Sequence, residues 1–213
     1  MNFLTKELVF PDCNQADEDG ILAVGGDLSV ARLLLAYQSG IFPWFNEGEP
    51  IIWWAPNERM VLFPNELRFS KSMKVLFKKE VFKVTYNTCF AEVMKNCAQI
   101  KRFGQEDTWI TDKMQEAYIN LHKIGIAQSV EVWENDKLVG GLYGIDLKDK
   151  KIFCGESMFS KVSNASKYAF ISLVQKLKKE QYKLIDCQVY NAHLDSLGAR
   201  EIPRSMFLKI LLP

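Results

Sequence analysis

The chain has 213 residues, 48% of them hydrophobic, which is enough to bury a sizeable core and excludes a disordered chain. Lys and Arg number 27 against 26 Asp and Glu, a formal net charge of +1, so a nucleic-acid site has to be a local patch and not a global field. Five cysteines without a Cys-x-x-Cys pair, and two histidines without ligand spacing to a Cys, read as reduced thiols in a cytoplasmic protein with no metal site.

Met1 to Pro11 lacks the charged-then-apolar pattern of a signal peptide, and no apolar run approaches the roughly 18 residues of a membrane span. Residues 1–29 read as irregular, apart from a short apolar piece at Ile21–Val24 followed by a tight turn at Gly25-Gly26. Asp27 or Ser29 is a good N-cap for a helix over Val30–Gln38, whose Leu33, Leu34 and Tyr37 recur at helical spacing. Gly40 stands where a left-handed C-cap residue belongs. Trp44, Trp53 and Trp54 then fall within eleven residues. They suit an aromatic core under a small domain, or a platform on which a base stacks, a contact that contributes about 1–3 kcal/mol. The composition changes around Asn57–Pro64, which marks a domain boundary: 1–57, then 58–213.

Residues 69–80 predict a helix capped by Ser70, with Met73, Leu76 and Phe77 inward. Lys71, Lys74 and Lys78 share its other face, with Lys79 beside them. A solvated basic face is the plain reading, and a contact surface for phosphates is the alternative. A strand over Val81–Tyr86 precedes a helix over Cys89–Cys97, and Thr111 caps another over Asp112–Lys123. From Ser129 the period changes to two, predicting a three-stranded meander over 129–133, 137–146 and 151–158. Gly140, Gly141 and Gly144 inside its middle strand mark a bulge or a close approach to the backbone. Asn164 or Ser163 caps a helix running to about Glu180, followed by a strand over Lys183–Gln188, a short helix over Ala192–Leu197 and a last helix entered at Pro203. This order is that of an α+β fold.

The chemistry concentrates in two places. Glu156 interrupts the apolar run Phe153–Phe159, and Asp186 and Gln188 close another such run, with Asn191 just beyond. A carboxylate in such a run is paired or functional, because burying a lone charge costs several kcal/mol. The bland alternative for Glu156 is an internal Lys or Arg partner. His193 with Cys187 suggests packing more than a nucleophile. No P-loop, G-x-S-x-G or G-x-G-x-x-G pattern is present.

Gly25-Gly26-Asp27-Leu28, Gly40–Phe45, Trp53-Trp54-Ala55-Pro56, Thr108-Trp109-Ile110, Ser129–Trp133, Gly140–Gly144, Gly155–Ser160, Asn164–Lys167, Ile185–Gln188 and Ser196–Ala199 occur in this order. Together they resemble the leucyl/phenylalanyl-tRNA–protein transferase family over nearly the whole chain. The resemblance implies a small N-terminal domain and a catalytic domain similar to the GCN5-related N-acetyltransferase fold. It implies a cytoplasmic monomer without cofactor that moves Leu or Phe, and Met weakly, from aminoacyl-tRNA to proteins with N-terminal Arg or Lys, marking them for N-degron proteolysis. By that resemblance Gln188, polarised by Asp186, orients the attacking amine, and Glu156 lies beside that amine and the acceptor's cationic side chain. Trp44 and Trp109 match aromatics near the 3′-adenosine, and Tyr37, Tyr118 and Asn191 match polar contacts nearby. Met158 and Leu142 shape the amino-acid pocket, and Lys71, Lys74, Lys78 and Lys79 are candidates for acceptor-stem phosphates. Two departures stand out: Gln128 occupies a place where His is expected, and the chain ends at Pro213, where some relatives run further. Two rivals remain. An acyl-CoA-dependent N-acyltransferase needs a Gly-rich pyrophosphate loop, absent from Ser160–Ser166. A non-catalytic RNA-binding protein leaves Glu156, Asp186 and Gln188 without a purpose.

Overall fold

The computed structural model describes residues 1–100 and 108–212. The chain opens with β1 (Asn2–Leu4) and β2 (Ile21–Gly25), continues through α1 (Val30–Gln38), and adds β3 (Phe42–Pro43) and β4 (Ile52–Trp54). These strands form a small sheet in the order β1-β2-β4-β3. Ser29 caps α1 by accepting from the Arg32 amide at 3.3 Å, as its spacing predicts. The N-terminal segment is less irregular than its composition suggests, because β1 pairs in parallel with β2. A three-residue strand offers no run of alternation from which it can be read.

A second sheet begins with β5 (Glu58–Leu62). Then come α2 (Lys71–Lys78), β6 (Lys83–Tyr86), α3 (Phe90–Gln99) and α4 (Asp112–Lys123). The meander is β7 (Ala127–Glu134), β8 (Lys137–Leu147) and β9 (Ile152–Ser160). The chain finishes with α5 (Ala165–Lys179), β10 (Leu184–Gln188), α6 (Ala192–Asp195), β11 (Arg200–Pro203) and α7 (Arg204–Leu211). The seven strands lie in the order β11-β5-β10-β9-β8-β7-β6. Only β9 and β10 are parallel, with α5 as their crossover; the other neighbours are antiparallel. Two of these strands go beyond the sequence expectations. β5 lies in the segment around Asn57–Pro64, beginning just past the expected boundary at residue 57 and standing second from one edge of the sheet, and Pro203 ends β11 as well as leading into α7. The start of α5 also differs. Asn164 sits before it in the left-handed region and makes no side-chain cap. Ser160 Oγ accepts from the Ser166 amide at 3.2 Å instead.

Strand alternation divides the burial between the two faces of this sheet. Leu142 and Phe153 face the core shared with Ala169 and Leu173 of α5 and Met73 of α2. Their neighbours Tyr143 and Cys154 face the other core, with Val93 and Met94 of α3, Met114 and Leu121 of α4, and Trp53 of the small sheet. α5 lies close on the meander because Gly140 lacks a side chain: a Cβ there would stand 2.6 Å from Ala165 Cβ.

Candidate active site in a split between parallel strands

The parallel pair β9–β10 holds only from Leu184↔Ile152 to Asp186↔Cys154. Past that point β9 continues along β8, while β10 bends away, and a cavity of about 520 Å³ fills the gap. Two irregularities place the chemistry at this fork. On β9, Gly144 pairs with Gly155 and Tyr143 with Ser157, so Glu156 is the extra residue of a bulge. Gly144 is required there, since a Cβ would lie 2.2 Å from the Cys154 carbonyl oxygen. On β10, Asp186 pairs with Val61 and Gln188 with Met60, which leaves Cys187 extra. Gln188 itself takes a left-handed φ of 66°, a conformation a side-chain-bearing residue holds only when its surroundings enforce it. Two bulges on adjacent strands thus turn Glu156 and Gln188 toward each other, and Gln188 Nε2 donates to Glu156 Oε1 at 2.8 Å.

Glu156 is half-buried and has a second donor. The Tyr118 hydroxyl gives its hydrogen to Oε2 at 3.0 Å, and the Tyr37 hydroxyl is hydrogen-bonded to that of Tyr118. No Lys or Arg forms an ion pair with Glu156 among the described residues, so the internal-partner alternative fails. Loss of water raises its pKa to about 7, despite the hydrogen bonds from Tyr37, Tyr118 and Gln188, and the Asp186 charge adds to the rise. An ionised Glu156 only accepts hydrogen bonds, which turns the Gln188 NH₂ toward it and leaves the Gln188 oxygen as the acceptor for anything else in the cavity.

Asp186 lies behind this pair, fully buried, and does not line the cavity. Its carboxylate accepts two hydrogen bonds from Arg59, at 2.8 and 2.7 Å, and one from the Gln188 backbone N–H at 2.9 Å. Contact with Gln188 therefore runs through the main chain, not through the side-chain amide that the expected polarisation would use. Arg59 is absent from the sequence reading. A fully buried carboxylate demands a buried cation, and that need was the one signal for it.

The cavity wall combines Trp44, Trp109, Leu142, Met158, Glu156, Gln188 and Asn191, all of them expected site residues. Phe153, Phe170, Leu173 and Ile185 complete an apolar end. Trp44 keeps part of its surface and tilts against Trp54, whose Nε1 donates to the Trp44 carbonyl oxygen at 2.7 Å, whereas Trp53 is core. Asn191 uses its side-chain oxygen to cap α6, accepting from His193 and Leu194 amides at 2.9 and 3.3 Å. Tyr37 and Tyr118 are both buried and outside the cavity wall, and they hold Glu156 from behind. Lys71, Lys74, Lys78 and Lys79 are exposed on and just after α2, also away from the wall. Cys187 lines the cavity, but burial pushes its thiol far up and its Sγ points to the Ile185 carbonyl oxygen at 3.8 Å. That argues against a thiolate nucleophile. Gln128, the unexpected residue, donates to the Gly125 carbonyl oxygen at 2.6 Å and accepts from Asn87, so its amide ties the turn after α4 to the turn after β6. Among the described residues there is no cluster of potential metal ligands and no helix long and apolar enough to cross a membrane.

The architecture is a mixed seven-stranded sheet with helices on both faces and a ligand-sized cleft where its parallel pair splits. The crystal structure of FemX has the same overall fold: TM-score 0.52 at 11% identity, covering 82% of this chain and 66% of that one. The sequence is far more specific. Residues 61–212 match the leucyl/phenylalanyl-tRNA protein transferase family, and residues 26–57 match that family's N-terminal domain. The chain is 66% identical over 211 residues to the leucyl/phenylalanyl-tRNA–protein transferase of Flavobacterium johnsoniae, covering 99% of both. It is 58% identical over 212 residues to that of Christiangramia forsetii, covering 100% of both, and 54% identical over 209 residues to that of Pectobacterium carotovorum, covering 97% of this chain and 87% of the other. The protein belongs to the leucyl/phenylalanyl-tRNA protein transferase family.

Proposed function

We propose that this protein transfers Leu or Phe from aminoacyl-tRNA to the N-terminal Arg or Lys of acceptor proteins. The observation that carries the reading is the unpaired Glu156 at the fork: a carboxylate without an internal cation, beside an amide oxygen free to accept, in a cavity with an apolar end. The family membership supports the donor and the class of reaction.

The aminoacyl ester is already activated, so the task is to hold a neutral α-amine in line with its carbonyl carbon. The acceptor arrives as an ammonium and gives one proton to the ionised Glu156, whose pKa of about 7 suits proton exchange near neutrality. The Gln188 oxygen accepts one N–H of the amine and turns its lone pair toward the ester. The C–N bond forms, the ester C–O bond breaks, and the departing 3′-oxygen of the terminal ribose takes the amine's second proton. Phe170, Leu173, Leu142 and Met158 surround the Leu or Phe side chain, and Met enters weakly, because an apolar wall separates side chains by only about 1–3 kcal/mol per methylene. Trp44 and Trp109 flank the adenosine, and Lys71, Lys74, Lys78 and Lys79 meet acceptor-stem phosphates. The division into residues 1–57 and 58–213 agrees with the two sheets, and the split β9–β10 pair favours the GCN5-related reading of the larger part.

The test is direct. Purified protein with Phe-tRNA should transfer Phe to a peptide beginning with Arg and not to its N-acetylated form. Binding of tRNA without transfer would replace this reading with the RNA-binding one. In the same preparation, replacing Lys71 and Lys78 with Ala should lower the slope of log affinity against log salt by about 1–2.

A further inference from the structure

Arg59 is the residue that fixes the Gln188 bulge without approaching the cavity. It sits on β5, is fully buried, and does not line the cleft. Its guanidinium is gripped on three sides. The rings of Phe42, from the small sheet, and Phe207, from α7, lie each 4.7 Å from its central carbon. Asp186 takes its Nε and one terminal nitrogen in a two-point fork. Burial works against the Arg59 charge, and Asp186 more than offsets it.

The same Asp186 oxygen that receives Arg59 Nε, Oδ1, also receives the Gln188 backbone N–H. That hydrogen bond closes the bulge in which Gln188 has its left-handed backbone. Gln188 then reaches Glu156. A continuous chain thus runs from Arg59 through Asp186 and the Gln188 main chain to the two groups that meet the amine. Phe42 also lines the cleft two residues before Trp44, so the cation is packed against the donor side of the site as well.

We propose that Arg59 is a positioning residue for the transfer step: its planar fork orients Asp186, and so sets the direction in which the Gln188 oxygen faces the incoming amine. This rests on the transferase reading above. Lys carries the same charge but is a single point, unable to hold both carboxylate oxygens in one plane. Misplacing a catalytic group by about 1 Å is enough for a loss of up to roughly 100-fold. The fault would appear mainly in turnover, because Arg59 lines neither the cleft nor its apolar end, and a Lys in its place still packs against Phe42.

The experiment compares the wild type, Arg59→Lys, Asp186→Asn and the pair Arg59→Met/Asp186→Asn in the full chain, with Phe-tRNA and an Arg-peptide. Thermal unfolding is followed in parallel, and rates are expressed per folded molecule. Arg59→Lys should lower kcat about 30-fold while the KM values for Phe-tRNA and for peptide stay within about twofold. The paired variant leaves no buried charge alone, so it should fold, and its kcat should match that of Asp186→Asn instead of falling further. Unchanged turnover in Arg59→Lys, or a loss confined to KM, overturns the proposal and leaves the transferase reading intact. If Arg59→Lys does not fold, wild-type turnover in the paired variant overturns it equally. No transfer by the wild-type protein overturns both.

Discussion

Two carboxylates on the outer strands of the meander, Glu131 on β7 and the half-buried Glu156 on β9, lack a cationic partner among the described residues, and their surroundings differ in one respect. Glu131, on β7, is fully buried and is enclosed by hydroxyls: Thr85 and Thr88 donate to its Oε2 at 2.7 and 2.9 Å, and Ser129 to its Oε1 at 2.6 Å. Trp133 completes the cluster by donating to Thr85 Oγ1 at 2.8 Å. Glu156 accepts from Gln188 at one oxygen and from Tyr118 at the other, with Tyr37 also hydrogen-bonded to it, and, unlike Glu131, it lines the cavity. Both satisfy the rule that buried polar groups are hydrogen-bonded. One is finished as it stands and ties β6 to β7. The other keeps room for a partner that has yet to arrive. Isolation from salt bridges is therefore not what marks a functional carboxylate; standing open to a cavity is.

The largest effect that would break this contrast is on transfer. Glu156→Gln keeps the shape and removes the charge, and should lower kcat/KM for an Arg-peptide by about 100–1000-fold, the scale of losing a proton acceptor and a counter-charge together. Glu131→Gln should leave turnover per folded molecule within about twofold. Steady-state kinetics on both variants decides it. Equal losses would mean that the meander transmits any disturbance at Glu131 to the site, and the distinction between the two carboxylates would fall.

The second effect is on stability and runs the other way. Glu131→Ala removes the acceptor of the buried Ser129 hydroxyl and of the Thr85 and Thr88 hydroxyls and opens a void, so urea unfolding should show a loss of about 3 kcal/mol. Glu156→Gln should not destabilise at pH 8, because the native carboxylate is less well solvated there than in the unfolded chain. A stability loss at Glu156 as large as at Glu131 would show that the former is a structural group too.

How much of this was legible without coordinates depends on how long each pattern runs. α4 and α5 were readable because their buried residues, Met114, Ala117, Tyr118 and Leu121 in one and Ala169, Leu173, Val174 and Leu177 in the other, repeat over several turns. The meander was readable from its period of two. β5 was not: five residues between Pro56 and Pro64, four of them buried, show no alternation, and so looked like a boundary. Arg59 went unnoticed with it. β11, four residues at a sheet edge ending in Pro203, was hidden in the same way. At the site, residue types announced Glu156 and Gln188, while the pairing of two bulges, which aims them at each other, depends on register between strands and is written in no single segment. The resemblance names Tyr37 and Tyr118 as polar contacts near the site, and packing adds that they stand behind Glu156.

The smallest effect is the titration of Glu156 itself. Glu156 has a pKa of about 7 in the folded protein, against an ordinary value of 4.5. The native state therefore binds its proton more tightly than the unfolded chain does. Stability from this group is complete below its unfolded pKa and is lost as pH rises through the folded one. Between pH 5 and pH 7 the loss amounts to about 2 kcal/mol. Urea melts of Glu156→Gln across this range should lack that decline, and the difference between wild type and variant should grow with pH in the variant's favour. The same carboxylate must be ionised to receive a proton from the acceptor, so wild-type kcat/KM should rise over the interval in which stability falls. A cationic peptide added at saturation stabilises the ionised form and should shift the rise in kcat to lower pH than that in kcat/KM. Identical stability profiles for wild type and Glu156→Gln would place the titrating group elsewhere, and would remove the physical basis for setting Glu156 apart from Glu131.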